Sequence, residues 1–138
     1  MNYTALKTEL TTDPLALGLV ALSNEAAAAK LNEVPNTASA GRLIERDVVP
    51  SWEVFEAVVP AEWTALSAAE KQRLQTMLSM GSINLKKPNT RAAFIAMFGA
   101  ATTTRANLIA LQNLPASRAT FLFGEKVEYW DVARARAL

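Results

Sequence analysis

Residues 67–81, "SAAEKQRLQTMLSMG", carry the clearest local instruction in the chain. Ser67 and Glu70 form a capping box, in which the serine oxygen accepts the N–H three residues on and the glutamate reaches back to the serine N–H. At the other end Gly81 is placed to adopt the left-handed conformation that closes a helix. The spacing predicts a helix from the capping box to Met80. The same punctuation recurs on both sides, and it decides the fold class.

Downstream, Pro88, Asn89 and Thr90 start "RAAFIAMF", closed by Gly99. Its residues are apolar nearly all round after Arg91, which predicts a buried central helix. "ATTTRANLIALQN" follows and ends at Pro115, "ASRATFLF" ends at Gly124, and "VEYWDVARARAL" is a final helix with cations suited to its last turns. Upstream, Pro60 opens "AEWTAL", and Pro50 with Ser51 opens "WEVFEAVV". Ser23 caps a helix that stops before Pro35, Asp13 and Pro14 restart a short turn, and Tyr3 to Thr11 form a first amphipathic helix. Ser51, Ser67 and Ser117 all read as caps. Only "RLIERDVV" (42–49) is β-like, and a lone short strand without a partner is better read as an extended linker. No repeat and no domain linker are evident. The expectation is an all-α fold, a single compact domain over 1–138 of seven or eight short helices with an extended linker near 42–49.

Composition agrees with a globular chain: about half of the 138 residues are apolar, and 26 are alanine. Cysteine and histidine are both absent. That removes disulfides, the usual zinc, haem and iron–sulfur ligand sets, and Ser-His or Cys-His catalysis. Carboxylate or lysine chemistry are the enzymatic routes left. The opening "MNYTALKTEL" has no signal-peptide pattern, and the longest apolar run (92–101) is half a membrane span, so a soluble protein is expected.

Net charge is +1, but its distribution is uneven. Residues 1–70 hold four basic and ten acidic groups, whereas 71–138 hold ten basic and three acidic. No acid falls between Glu70 and Glu125. Three explanations stand open: a surface for nucleic acid or an acidic partner, packing of the basic half on the acidic half of the same chain, or head-to-tail association of copies.

The densest chemistry is "ERDVVPSWEVFEAVVPAEWTAL" (45–66). Glu53 and Glu56, three apart, could share a helix face as an acid/base or metal pair. Trp52, Val54, Phe55, Val58 and Val59 are interleaved with them, which fits aromatics inward and acids outward on a solvated face. No catalytic, cofactor-binding or metal-binding residues are therefore assigned, and no cofactor is expected. The candidate interface residues are Tyr129 and Trp130, because adjacent helical positions cannot easily both be buried, together with Trp52 and the basic Lys86, Lys87 and Arg91.

Three segments, "NYTALKTELTTDPLALG", "VVPSWEVFEAVVPAEWTAL" and "TTTRANLIALQNLPASRATFLFG…VEYWDVARARAL", resemble in order and spacing a group of small, mostly uncharacterised helical proteins. These are encoded among the late, structural genes of tailed bacteriophages. The likeness rests on Asp13-Pro14, Pro50, Gly99, Arg105, Ser117-Arg118-Ala119 and Gly124. It implies a non-enzymatic virion component (capsid, connector or tail), assembled in the host cytoplasm, whose partners are other phage subunits and itself. The alternative is a small nucleic-acid-binding or regulatory phage protein using the basic 71–124 span, with no membrane partner in either case.

Overall fold

A computed structural model describes all 138 residues. Nine α-helices dominate: α1 (Tyr3–Thr12), α2 (Asn24–Asn32), α3 (Ser51–Ala57), α4 (Pro60–Thr64), α5 (Ala68–Leu78), α6 (Pro88–Met97), α7 (Thr103–Gln112), α8 (Arg118–Phe123) and α9 (Tyr129–Arg136). A 3-10 turn covers Leu19–Ala21. Four three-residue strands accompany them: β1 (Leu43–Glu45), β2 (Val48–Pro50), β3 (Ser82–Asn84) and β4 (Asn113–Pro115). The fold is mostly helical, but the all-α expectation is corrected by two small sheets, β1 with β4 and β2 with β3. The linker near 42–49 is two strands whose partners come from the same chain. In the antiparallel β2–β3 pair Val49 faces Ile83, and both side chains are buried.

The caps fold as their chemistry dictates. Both bonds of the Ser67–Glu70 capping box form, at 3.2 and 3.1 Å. Gly81 takes φ +81°, three residues beyond the end of α5. Ser23, Thr102 and Ser117 each accept the N–H of the third residue of α2, α7 and α8, from Ala26, Arg105 and Thr120. Ser51 departs from the expected role. It is the first residue of α3, Pro50 holds the cap position, and the Ser51 Oγ is buried without a hydrogen-bond partner. Asp13 ends α1 with φ 41°, and its carboxylate accepts the N–H groups of Leu17, Gly18 and Leu19 at 2.7–3.1 Å.

The chain divides into two compact units, 1–44 with 115–138, and 45–114. In the first, Leu6, Leu10, Leu19, Leu31, Val127 and Val132 centre the core. Asn32 ties α2 to the approach of α9 by donating to the Val127 carbonyl at 2.7 Å and accepting its N–H at 3.0 Å. In the second, Val49, Val54, Leu74, Ile83, Phe94 and Phe98 lead the core. Each such side chain removed from water contributes roughly 1.5–3 kcal/mol. Helix α6 is not buried all round as its composition predicts: Ala93, Phe94 and Met97 face inward, while Arg91, Ala92, Ile95 and Ala96 are exposed. Alanine made the sequence look uniformly apolar, but alanine sits in water at little cost.

Candidate interaction surfaces

Helix α3 presents the first surface. Its buried residues are Ser51, Val54 and Ala57, one per turn. That period turns Trp52 and Phe55 outward, 67% and 64% exposed. The expectation of aromatics inside and acids outside is therefore overturned. The three small or branched residues fit against the neighbouring elements, and Glu53 points partly inward to an ion pair with Arg46. Arg46 is held in turn by donating from Nε to the Leu111 carbonyl at 2.8 Å. Glu56 stays exposed without a partner, so the two glutamates do not act as a pair. Beside Phe55 lies a mainly apolar groove of about 470 Å³, walled by Val58, Pro60, Trp63, Leu74 and Leu78.

The predicted basic residues divide by environment. Lys86 is engaged, its Nζ 3.1 Å from Glu45 and 3.0 Å from Asp47. The hydrogen bond to Asp47, reinforced by that to Glu45, holds the ammonium pKa above the ordinary lysine value. Lys87 is the cap residue of α6 and is exposed. Arg91 makes no ion pair. It lines a groove of about 320 Å³ with Arg105, over a floor of Leu85, Phe94 and Leu108 and between the half-exposed Ile95 and Ile109.

That groove exposes a pattern missed in the sequence. "TRAAFIAM" (90–97) and "TRANLIAL" (104–111) share Thr, Arg, Ala, Ile and Ala at matching positions. Each places one arginine, one large apolar residue and one isoleucine on the same groove. Eight residues is far shorter than the periods of 20–50 at which repeats are normally sought.

Tyr129 and Trp130 are both about half exposed and pack edge to face, ring centroids 5.0 Å apart. On the same helix Asp131 accepts from the Tyr3 hydroxyl at 3.1 Å, and Arg134 lies over the Tyr3 ring.

Charge is balanced within each unit. Residues 1–44 and 115–138 hold seven basic and seven acidic groups, and 45–114 hold seven and six. Acids of the first half meet bases of the second inside one chain, as in Glu9 with Arg118 and Glu45 and Asp47 with Lys86. No group of three or more acidic, histidine or cysteine residues is arranged to hold a metal ion. No helix is long and apolar enough to cross a membrane. Comparison with protein-family models, curated proteins and solved structures finds no match to this chain.

Proposed function

We propose that the chain is a non-enzymatic interaction protein working through exposed aromatic surfaces, and that its setting is the particle of a tailed phage. The observation that carries the first part is the outward placement of Trp52 and Phe55 beside an apolar groove. Two large aromatics one helical turn apart in water are unfavourable unless a partner covers them, and tryptophan anchors binding surfaces more than most residues. The phage setting is supported by the resemblance of the three sequence segments. Quantitative mass spectrometry of purified particles from the source phage tests it: a copy number at a fixed multiple of the particle symmetry is expected, and absence from particles overturns the setting.

The nucleic-acid reading draws on Lys71, Arg73, Lys87, Arg91 and Arg105, none of which forms an ion pair. Phosphate binding by these residues predicts a DNA affinity that falls steeply with salt. The apolar floor between Arg91 and Arg105 favours a protein partner instead.

A further inference from the structure

We propose that the groove between α6 and α7 receives the α3 face of a second copy of this chain, so that copies join head to tail. The inference rests on the reading of the chain as an interaction protein and names the partner.

The groove specifies its ligand chemistry. Apart from Arg91, Arg105 and Gln112 its lining is apolar, no carboxylate lines it, and neither the Arg91 nor the Arg105 guanidinium forms an ion pair. A fitting ligand brings apolar or aromatic surface together with negative charge. Guanidinium groups stack on aromatic faces and pair with carboxylates, and here two of them flank an apolar trough. At about 320 Å³ the groove is at the small end of ligand sites and suits inserted side chains.

The chain itself carries the complementary surface. Trp52, Phe55 and Glu56 stand at i, i+3 and i+4 on the open side of α3, two aromatics and an unpaired carboxylate on one face. Such spacing is how a helix anchors in a groove. Because Trp52 and Phe55 are about two-thirds exposed, the face does not fill its own molecule's groove. The groove and the α3 face are different patches, so the contact is heterologous and builds a ring or a filament rather than an isologous dimer. A polyanion is the poorer occupant, since phosphates gain nothing from Phe94, Ile95, Leu108 and Ile109.

The test is light scattering and sedimentation of the purified full chain across a wide concentration range, with two charge reversals. The weight-average mass is expected to rise above the 14.9 kDa monomer with concentration. Arg91→Glu with Arg105→Glu, and separately Glu56→Arg, are each expected to weaken association at least about tenfold, roughly 1.4 kcal/mol. Mixing the two variants restores it, because each then offers the other an oppositely charged surface. Circular dichroism checks folding, and Arg91→Gln with Arg105→Gln replaces the glutamate variant if that variant unfolds.

A mass of 14.9 kDa at every concentration overturns the proposal. So does association that neither reversal affects, or mixing that fails to restore it. Retention of DNA by the wild type but not by the Arg91→Glu, Arg105→Glu variant, without self-association, hands the groove to nucleic acid and overturns it as well. A chain that stays monomeric yet is present in phage particles overturns this contact alone and leaves the proposed function standing.

Discussion

Glu9 and Arg118, 109 residues apart in sequence, meet inside the core of the unit formed by 1–44 and 115–138. Arg118 donates from Nε and Nη2 to the two carboxylate oxygens at 2.6 and 2.8 Å, and from Nη1 to the Gly41 carbonyl at 3.1 Å. Both side chains are nearly excluded from water. Removing one partner strands a charge in a medium that solvates it poorly, at a cost of about 3–5 kcal/mol, whereas replacing both with apolar residues removes the desolvation penalty too. Arg118→Met is therefore expected to lower the urea unfolding free energy by about 3 kcal/mol or more. The Glu9→Leu, Arg118→Met double variant lies closer to wild type than either single variant. Equal and additive losses show the pair to be uncoupled.

Gly41 is locked to the same network. Its φ is +75°, and a Cβ there lies 2.6 Å from Arg118 Nη1. Gly81 has φ +81° with nothing within 4 Å of a Cβ. Gly81→Ala thus carries only the left-handed conformational cost, roughly 1–2 kcal/mol. Gly41→Ala also displaces the guanidinium, and its unfolding midpoint is expected to fall below that of Gly81→Ala. The reverse order contradicts the contact.

From a fully buried position Thr104 joins α7 to α4 and to the connection between α3 and α4. Its Oγ1 donates to Glu62 at 2.9 Å and accepts the Val59 N–H at 2.9 Å, while Glu62 also accepts the Thr103 and Thr104 N–H groups at the start of α7. Thr104→Val keeps the shape but leaves the Val59 N–H without its acceptor, costing about 1–3 kcal/mol. Thr104→Ser retains the hydroxyl and loses only a methyl. Hydrogen exchange is expected to show faster exchange at Val59 in the valine variant and not in the serine variant.

What was legible in the sequence follows from the range of the forces involved. Caps act over three or four residues, so Ser23, Ser67, Ser117 and Gly124 mark helix ends directly. Strands β3 and β4 are three residues each, too short for alternation to register, and their partners lie far along the chain. The rotation of α3 was unreadable for a related reason. Trp52, Val54 and Phe55 cannot all share one side of a helix, and which of them turns inward is set by the neighbours against which α3 packs. The basic residues were visible but not their partners, because Lys86 is neutralised by Glu45 and Asp47, about 40 positions earlier.

Lys86 gives a pH signature. Its pKa is raised by Asp47 first and Glu45 second. A raised lysine value means the folded chain holds this proton more tightly than the unfolded chain does. The stabilisation is fully present below the ordinary value of about 10.4 and is lost as pH rises through the higher folded value. Unfolding of wild type and Lys86→Met is expected to differ by a constant amount from neutral pH to the start of that alkaline window, then converge. A difference that changes near neutral pH assigns it to another group.

Helix α3 offers the sharpest separation of stability from binding, because its two faces differ so strongly. Val54 is fully buried, and its truncation to alanine removes two methyl groups and leaves a cavity, at about 2 kcal/mol. Trp52 and Phe55, though far larger, are mostly in water already. The Trp52→Ala, Phe55→Ala variant is expected to unfold within about 0.5 kcal/mol of wild type per substitution. The same variant is expected to lose association with its partner, read by light scattering of the purified chain or by its incorporation into particles. Val54→Ala at a temperature where it remains folded keeps that association. If instead the aromatic variant is strongly destabilised and still associates, the two side chains belong to the fold and the interaction surface lies elsewhere.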